Sequence, residues 1–302
     1  MSPPDIARIN APGVAVIGAG TMGAGIAYVF ARAGWQVTVA EPSPHQQARL
    51  SDTLTSASVE GVRRGKLTAA GAQQLMASVR IVAGVADLPS RLDLAIETVP
   101  EDLSLKQRVL RELGERAPAL IGTNTSGLSI DALAECLDDP SRLIGMHFFN
   151  PVWSLPLIEL VLGRLTSDKT VDAARRHAQS IGKETIVVRN LPGFATSRLD
   201  LIASLEAIRM LEDGVASAED IDRAAVLAYR HPIGPLRLSD IVGLDVRLDI
   251  ARHLHKSLGD RYAPPRLLEQ MVARGDLGQK SGKGFYDWSP PSSTPHIDHA
   301  SP

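Results

Sequence analysis

The sequence predicts an α/β protein built on a doubly wound parallel sheet, with chain to spare for a second domain. Three observations predict it. Strand-like apolar runs alternate with helix-like segments from residue 14 to about residue 148, the pattern of parallel strands joined by crossovers. The first run opens directly into a glycine-rich turn followed by a helix. The chain has 302 residues, more than one domain of ordinary size needs.

The first element is the unbroken apolar run at 14–17, as a strand buried on both faces requires. The turn Gly18-Ala19-Gly20-Thr21-Met22-Gly23 gives G-x-G-x-x-G, and a helix pattern follows to about residue 33, ended by Gly34. Gly18 permits the tight turn, Gly20 lets backbone approach a pyrophosphate, and Gly23 lets helix and strand pack closely. The helix N-terminus faces the anion. A second strand, QVTVA, ends at Glu41. There a carboxylate accepts hydrogen bonds from a ribose diol and repels a 2′-phosphate, so NAD is favoured over NADP. A glycine-rich turn of another α/β protein is the bland alternative, but strand, helix, second strand and acid all fall in place. The later stretch GQKSGKGF is not a phosphate-binding loop, because its glycine spacing is wrong and no strand precedes it.

Residues 43–78 read as two helices, with a basic stretch, VRRGK, from Val62 to Lys66. It is either a solvated helix end or a phosphate contact outside the crevice. Further strands are expected near 79–83, 92–98, 119–125 and 142–148, with helices between them. Ligands of such a sheet sit outside the carboxyl ends of its strands. Glu97 and Glu101, with Lys106 a turn later, follow one strand; Asn124 and Ser126 follow another; His147 and Asn150 follow a third. A final apolar segment, LPLIELVLG, carries Glu159, an acid that is costly there unless paired. Each has a plainer reading. A lone strand histidine is commonly a satisfied core residue, Ser126 a helix N-cap, and Glu159 a solubility device on a strand edge. All three fall beside the same crevice, which favours chemistry.

Composition excludes several classes. Hydrophobic residues make up 44% of the chain, enough for a sizeable core, and the net charge is −2 with scattered Lys and Arg. That is no nucleic-acid footprint. The single cysteine, Cys136, excludes an intrachain disulfide and a multi-cysteine metal site, and reads as a small buried hydrophobe on a helix with Ile130, Leu133 and Leu137. No run reaches 18 apolar residues, so no membrane helix is expected. The N-terminus has no apolar signal region, which makes the cytoplasm the expected compartment. The Pro- and Ser-rich tail at 289–302 is expected to be disordered.

The stretch GMHFFNPV, together with GAGTMGAGIA, NTS, LPGF and GQKSGKGFYDW, resembles the NAD-dependent 3-hydroxyacyl-CoA dehydrogenase family, in register from about 14 to 288. The resemblance implies a Rossmann-type NAD domain over 1–190 and a smaller all-helical domain over 191–288 that dimerises. Helix patterns such as SRLDLIASLEAIRMLEDG, and a capping box at SAED, follow the border near Asn190 to Pro192. By position, His147 matches the catalytic histidine, Glu159 its paired acid, Ser126 the serine that reaches the substrate oxygen, and Asn150 a residue touching nicotinamide and substrate. Glu101, Lys106 and Lys280 match cofactor contacts. Ser58 and Lys66 fall near the coenzyme A contacts. The reaction implied is NAD-dependent oxidation of an L-3-hydroxyacyl-CoA to the 3-oxoacyl-CoA, or its reverse, with no metal. Two departures stand out: Gly127 where the family usually has a second serine, and Ser197 where it carries an active-site asparagine. The rivals are a free hydroxy-acid dehydrogenase of the L-gulonate or carnitine type, an enzyme for carrier-protein-tethered substrates, and an inactive NAD-binding protein.

Overall fold

The computed structural model of the protein describes residues 11–289. The chain divides into two compact units, one through Phe194 and one from Ala195.

The first unit opens with β1 (Gly13–Ile17), α1 (Thr21–Arg32), β2 (Gln36–Ala40), α2 (Pro44–Arg63), α3 (Ala69–Ala77) and β3 (Val79–Val82). It continues with β4 (Leu94–Glu97), α4 (Leu103–Glu115), β5 (Ile121–Thr123), α5 (Ile130–Ala134), β6 (Leu143–Phe148), β7 (Leu157–Leu162), α6 (Asp168–Ser180) and β8 (Glu184–Arg189). The helix starts follow local chemistry. Ser43 caps α2 ahead of Pro44, and Asp102 caps α4 by accepting from the Leu105 N–H at 2.7 Å. The strands form one sheet in the order β3-β2-β1-β4-β5-β6-β7-β8. The chain reverses its lateral direction between β3 and β4, which opens the crevice at the carboxyl ends of β1 and β4.

Alternate residues of β1 enter opposite cores. Val14 and Val16 pack with Ile26, Phe30 and Leu50 on one face. Ala15 and Ile17 pack with Leu110, Leu113 and Leu133 on the other. Burial on both faces is the reason the strand is apolar at every position.

Three expectations need correction. The sheet is mixed: β6 and β7 pair antiparallel, and β8 runs parallel to β7. Residues 149–156 are too few for a helical crossover, so the chain turns back beside the strand it has just left. Between β3 and β4 there is no α-helix, only a short 3₁₀ turn at Val85–Asp87, in a segment broken by Gly84 and Pro89. The helix expected to carry Cys136 stops at Ala134, and the half-buried thiol donates to the Leu133 carbonyl at 3.2 Å.

The second unit is helical: α7 (Thr196–Glu212), α8 (Ala218–Tyr229), α9 (Pro235–Val242), α10 (Leu244–Leu258) and α11 (Arg266–Ala273). Its core holds Leu201, Leu205, Ile208, Leu236, Leu248, Leu254 and Leu268. Ser217 caps α8 by accepting from the Asp220 N–H. Two buried acids organise the loops. Asp240 accepts from the Phe285 and Tyr286 N–H groups and from Trp288 Nε1, each at 2.9 Å. Asp222 accepts from the Leu236 and Arg237 N–H groups and from the Tyr286 hydroxyl. A Cβ on Gly284 would lie 2.1 Å from Asp240 Oδ1, so this glycine of GKGFYDW serves the wrap around Asp240. The expected tail lies outside the described residues but for Ser289.

Candidate active site

The site is assembled from the carboxyl ends of β1, β2, β4, β5 and β6. In the glycine-rich turn, Gly18 has φ 101°, a conformation that L side chains rarely adopt. A Cβ on Gly23 would stand 2.0 Å from the Gly18 carbonyl, whereas one on Gly20 would meet nothing within 4 Å. One glycine is thus demanded by packing; another faces open space. No side chain caps the start of α1, so the N–H groups around Thr21 and Met22 point toward that space. Glu41 accepts from the N–H groups of Ala19 and Ser43, each at 2.9 Å. Its carboxylate therefore stands against the turn with lone pairs remaining for a ribose. A Cβ-free approach at Gly20, an uncapped helix start and an acid at the end of β2 fit a dinucleotide carrying a free 2′-hydroxyl.

The ends of β4 and β5 carry a connected polar network. Glu97 is fully buried and accepts from the Val99 N–H (2.7 Å), Thr123 Oγ1 (2.6 Å) and Lys106 Nζ (2.8 and 3.1 Å). Burial pushes its pKa up, and Lys106 opposes that shift. Lys106 also donates to the Val99 carbonyl at 3.0 Å and lies 3.4 Å from Glu101. Glu101 in turn gathers the Thr125 hydroxyl and the N–H groups of Ser126 (3.1 Å) and Gly127 (3.2 Å). The helix after Ser126 is capped by Ser129, not by Ser126; the plainer reading of Ser126 falls with that. Lys106 is 1% exposed, and both carboxylates hold its ammonium, so the structure places it beneath the crevice floor rather than on its surface. Glu101, half-exposed, anchors the Ser126 turn.

At the end of β6, His147 stands directly opposite Glu159 in the antiparallel register. Its Nδ1 is 2.9 Å from Glu159 Oε2. Glu159 is fully buried, while the imidazole keeps 10% of its side-chain surface exposed. A carboxylate only accepts, so the proton of the neutral ring belongs on Nδ1 and Nε2 is left as the basic nitrogen. Phe149 and Phe194 flank the ring, with centroids 4.4 and 6.1 Å away. Asn124 Oδ1 accepts from the Phe148 N–H at 2.9 Å and pins this strand end. Asn150 is exposed just beyond it.

The remaining expected residues lie elsewhere. Lys280 and Ser197 belong to the second unit, where Lys280 pairs with Asp245 at 2.5 Å and Ser197 sits in the first turn of α7. Ser58 is buried in α2, its hydroxyl without a hydrogen-bond partner, and lines an apolar cleft of about 710 Å³ with Val62 and Met76. Lys66 lines a separate cavity of about 270 Å³ with Tyr28, Arg32, Arg64 and Trp153. Sequence reasoning missed Thr98, whose hydroxyl donates to the Ile17 carbonyl at 2.8 Å and walls the turn at Gly18 and Gly23. Its position after a buried strand beside the crevice was the available signal. Among the described residues, no cluster of three His, Cys, Asp or Glu could hold a metal.

Residues 13–191 match the family model for the NAD binding domain of 3-hydroxyacyl-CoA dehydrogenase, and residues 193–288 match that for its C-terminal domain. The chain belongs to the 3-hydroxyacyl-CoA dehydrogenase family. It is an NAD-dependent oxidoreductase. Among its relatives is 3-hydroxybutyryl-CoA dehydrogenase of Mycobacterium tuberculosis, 39% identical, with 91% of this chain and 98% of the relative covered. Another is the same-named protein of Clostridioides difficile, 38% identical over 91% and 99%. The crystal structure of (S)-3-hydroxybutyryl-CoA dehydrogenase PaaH1 from Ralstonia eutropha superimposes with a TM-score of 0.89 at 37% identity, covering 93% of this chain and all of that one. No helix of the described residues is long and apolar enough to cross a membrane.

Proposed function

We propose that the protein interconverts L-3-hydroxyacyl-CoA and 3-oxoacyl-CoA thioesters with NAD, with His147 as the general base and Glu159 its partner. The observation that carries this is the 2.9 Å contact between a buried acid and the inner nitrogen of an imidazole whose outer edge remains accessible. When bound, NAD supplies the hydride acceptor at C4 of its nicotinamide. The chain's own residues do the rest. Nε2 of His147 takes the substrate's hydroxyl proton as the alcohol is oxidised. Glu159 keeps the ring in the Nδ1–H tautomer and stabilises the imidazolium that forms. Ser126, held by Glu101, donates to the same oxygen as it becomes a carbonyl. Asn150, at the end of the same strand, orients the nicotinamide and the substrate. Gly18 to Gly23 and Glu41 hold the dinucleotide.

By the family resemblance, Lys280 is assigned to the cofactor, Ser197 to the substrate, and Ser58 and Lys66 to coenzyme A. The helical unit, rather than the sheet unit, carries self-association. Large apolar side chains stand exposed on it, among them Leu199 at 70%, Leu227 at 70% and Tyr229 at 77%, which supports a homodimer through this unit.

The test is NADH formation, followed by its absorbance, across 3-hydroxyacyl-CoA chain lengths, beside the free acids and the same acyl groups on a carrier protein. Turnover of the CoA esters with little on the free acids is expected. Preference for free L-gulonate or carnitine, or for the tethered acyl group, would replace this reading with one of its rivals.

A further inference from the structure

Lys183 follows Gly182 immediately before β8 and is 7% exposed. Its ammonium donates to the main-chain carbonyls of Val152 and Leu155. Both belong to residues 149–156, the connection that leaves the His147 strand and returns as the Glu159 strand. The Arg32 guanidinium of α1 acts on it electrostatically. Burial first, and then Arg32, push the lysine pKa down. A buried ammonium satisfied by two carbonyls, beside a second cation, is a costly arrangement to keep for packing alone.

The connection it grips touches the cofactor side of the unit. Val152 is 1% exposed and packs on α1, where a Cβ on Gly25 would come within 2.7 Å of its Cγ2. Trp153 meets Tyr28 of α1 edge-on, with ring centroids 5.9 Å apart. The Glu184 N–H closes the same connection by donating to the Pro156 carbonyl at 2.8 Å. One end of this segment is Asn150, and its two flanking strands present His147 and Glu159 to each other. A slip of one residue would turn His147 to the other face of the sheet and part the pair.

We propose that Lys183 is a positioning residue for the reaction: its buried ammonium clamps the β6–β7 connection, and so sets Asn150 and the His147–Glu159 pair against the dinucleotide helix. The proposal rests on the proposed function for its kinetic part and on geometry alone for its structural part.

The experiment compares the full-length wild type with Lys183→Met, which keeps length and loses the donors, and with Lys183→Arg, which keeps a cation. Acetoacetyl-CoA reduction gives kcat and the KM for NADH. Amide hydrogen exchange by mass spectrometry reads residues 149–156 and 13–40 without any substrate. In Lys183→Met, kcat should fall about 10- to 100-fold, the range of one or two charge-assisted hydrogen bonds. The KM for NADH should stay within about twofold. Exchange should quicken over 149–156 and not over 13–40, and Lys183→Arg should recover most of kcat. An unchanged kcat in Lys183→Met, or faster exchange spread over the whole unit, overturns the positioning role. So does failure of both variants to fold, which would make Lys183 a folding residue. A wild type inert toward acyl-CoA while exchange responds as described would sink the proposed reaction and leave the clamp standing.

Discussion

Replacing His147 by alanine, or Glu159 by glutamine, should lower turnover about 10²- to 10⁴-fold, the range for loss of a general base. NADH should still bind, because neither side chain belongs to the glycine-rich turn. The double variant should be far less than multiplicatively worse, since the proposed mechanism has the two act as a unit; stopped-flow turnover and NADH fluorescence titration measure both halves. Near-normal kcat in His147→Ala would remove the mechanism. Glu41 is the residue proposed to set the choice of cofactor. A hydrogen bond to a charged group contributes about 1.5 kcal/mol or more, so NAD should be preferred over NADP by about tenfold or more in kcat/KM. Ser197 tests the departure from family pattern. Serine is shorter than asparagine and offers one hydroxyl, so Ser197→Asn should raise kcat/KM for 3-hydroxybutyryl-CoA by about 10- to 150-fold. An unchanged value with folding intact would separate Ser197 from that role.

At the scale of elements, the turn between β1 and α1 is set by contact rather than composition. A Cβ on Gly23 would stand 2.0 Å from the Gly18 carbonyl, so Gly23→Ala must push strand and helix apart. Overpacking of this kind costs roughly 1–3 kcal/mol, and NADH affinity should fall about 5- to 150-fold by titration. In the helical unit, Tyr286 donates to Asp222 at 2.8 Å. Burial and that acid push the phenol pKa above its ordinary 10.0. A raised folded pKa means that its stabilisation is complete below about pH 10 and is lost as pH rises further, because the unfolded chain releases the proton first. Melting temperature should therefore drop more steeply above pH 10 in the wild type than in Tyr286→Phe. An equal slope in both would remove Tyr286 as the cause. The elements legible in sequence were those with a strong period or a strong signature, β1, α1, β2 and the His147 strand. β8 escaped notice because an edge strand, ETIVVR, alternates exposed and half-buried residues and so resembles a polar loop with apolar interruptions.

For the whole molecule, the proposed self-association makes a direct prediction. Light scattering behind size exclusion should report about twice the 32.3 kDa chain mass, and charge placed at Leu199 or Tyr229 should shift it toward one chain. A wild-type mass of a single chain at micromolar concentration would end that reading. The sequence by itself determined the two-part organisation, the dinucleotide turn with its acid, and the candidates at the strand ends. Those follow from local rules: periodicity, glycine geometry and short spacings. Tertiary structure alone decided which candidates meet. His147 and Glu159 face each other because the connection after β6 is too short to cross the sheet, which forces an antiparallel return and sets their register. Glu101 turned out to hold the Ser126 loop, Lys106 to lie beneath the floor, and Lys183 to grip a connection some thirty residues away. Hydrogen bonds between distant residues are set by how strands are ordered, and no local rule encodes that order.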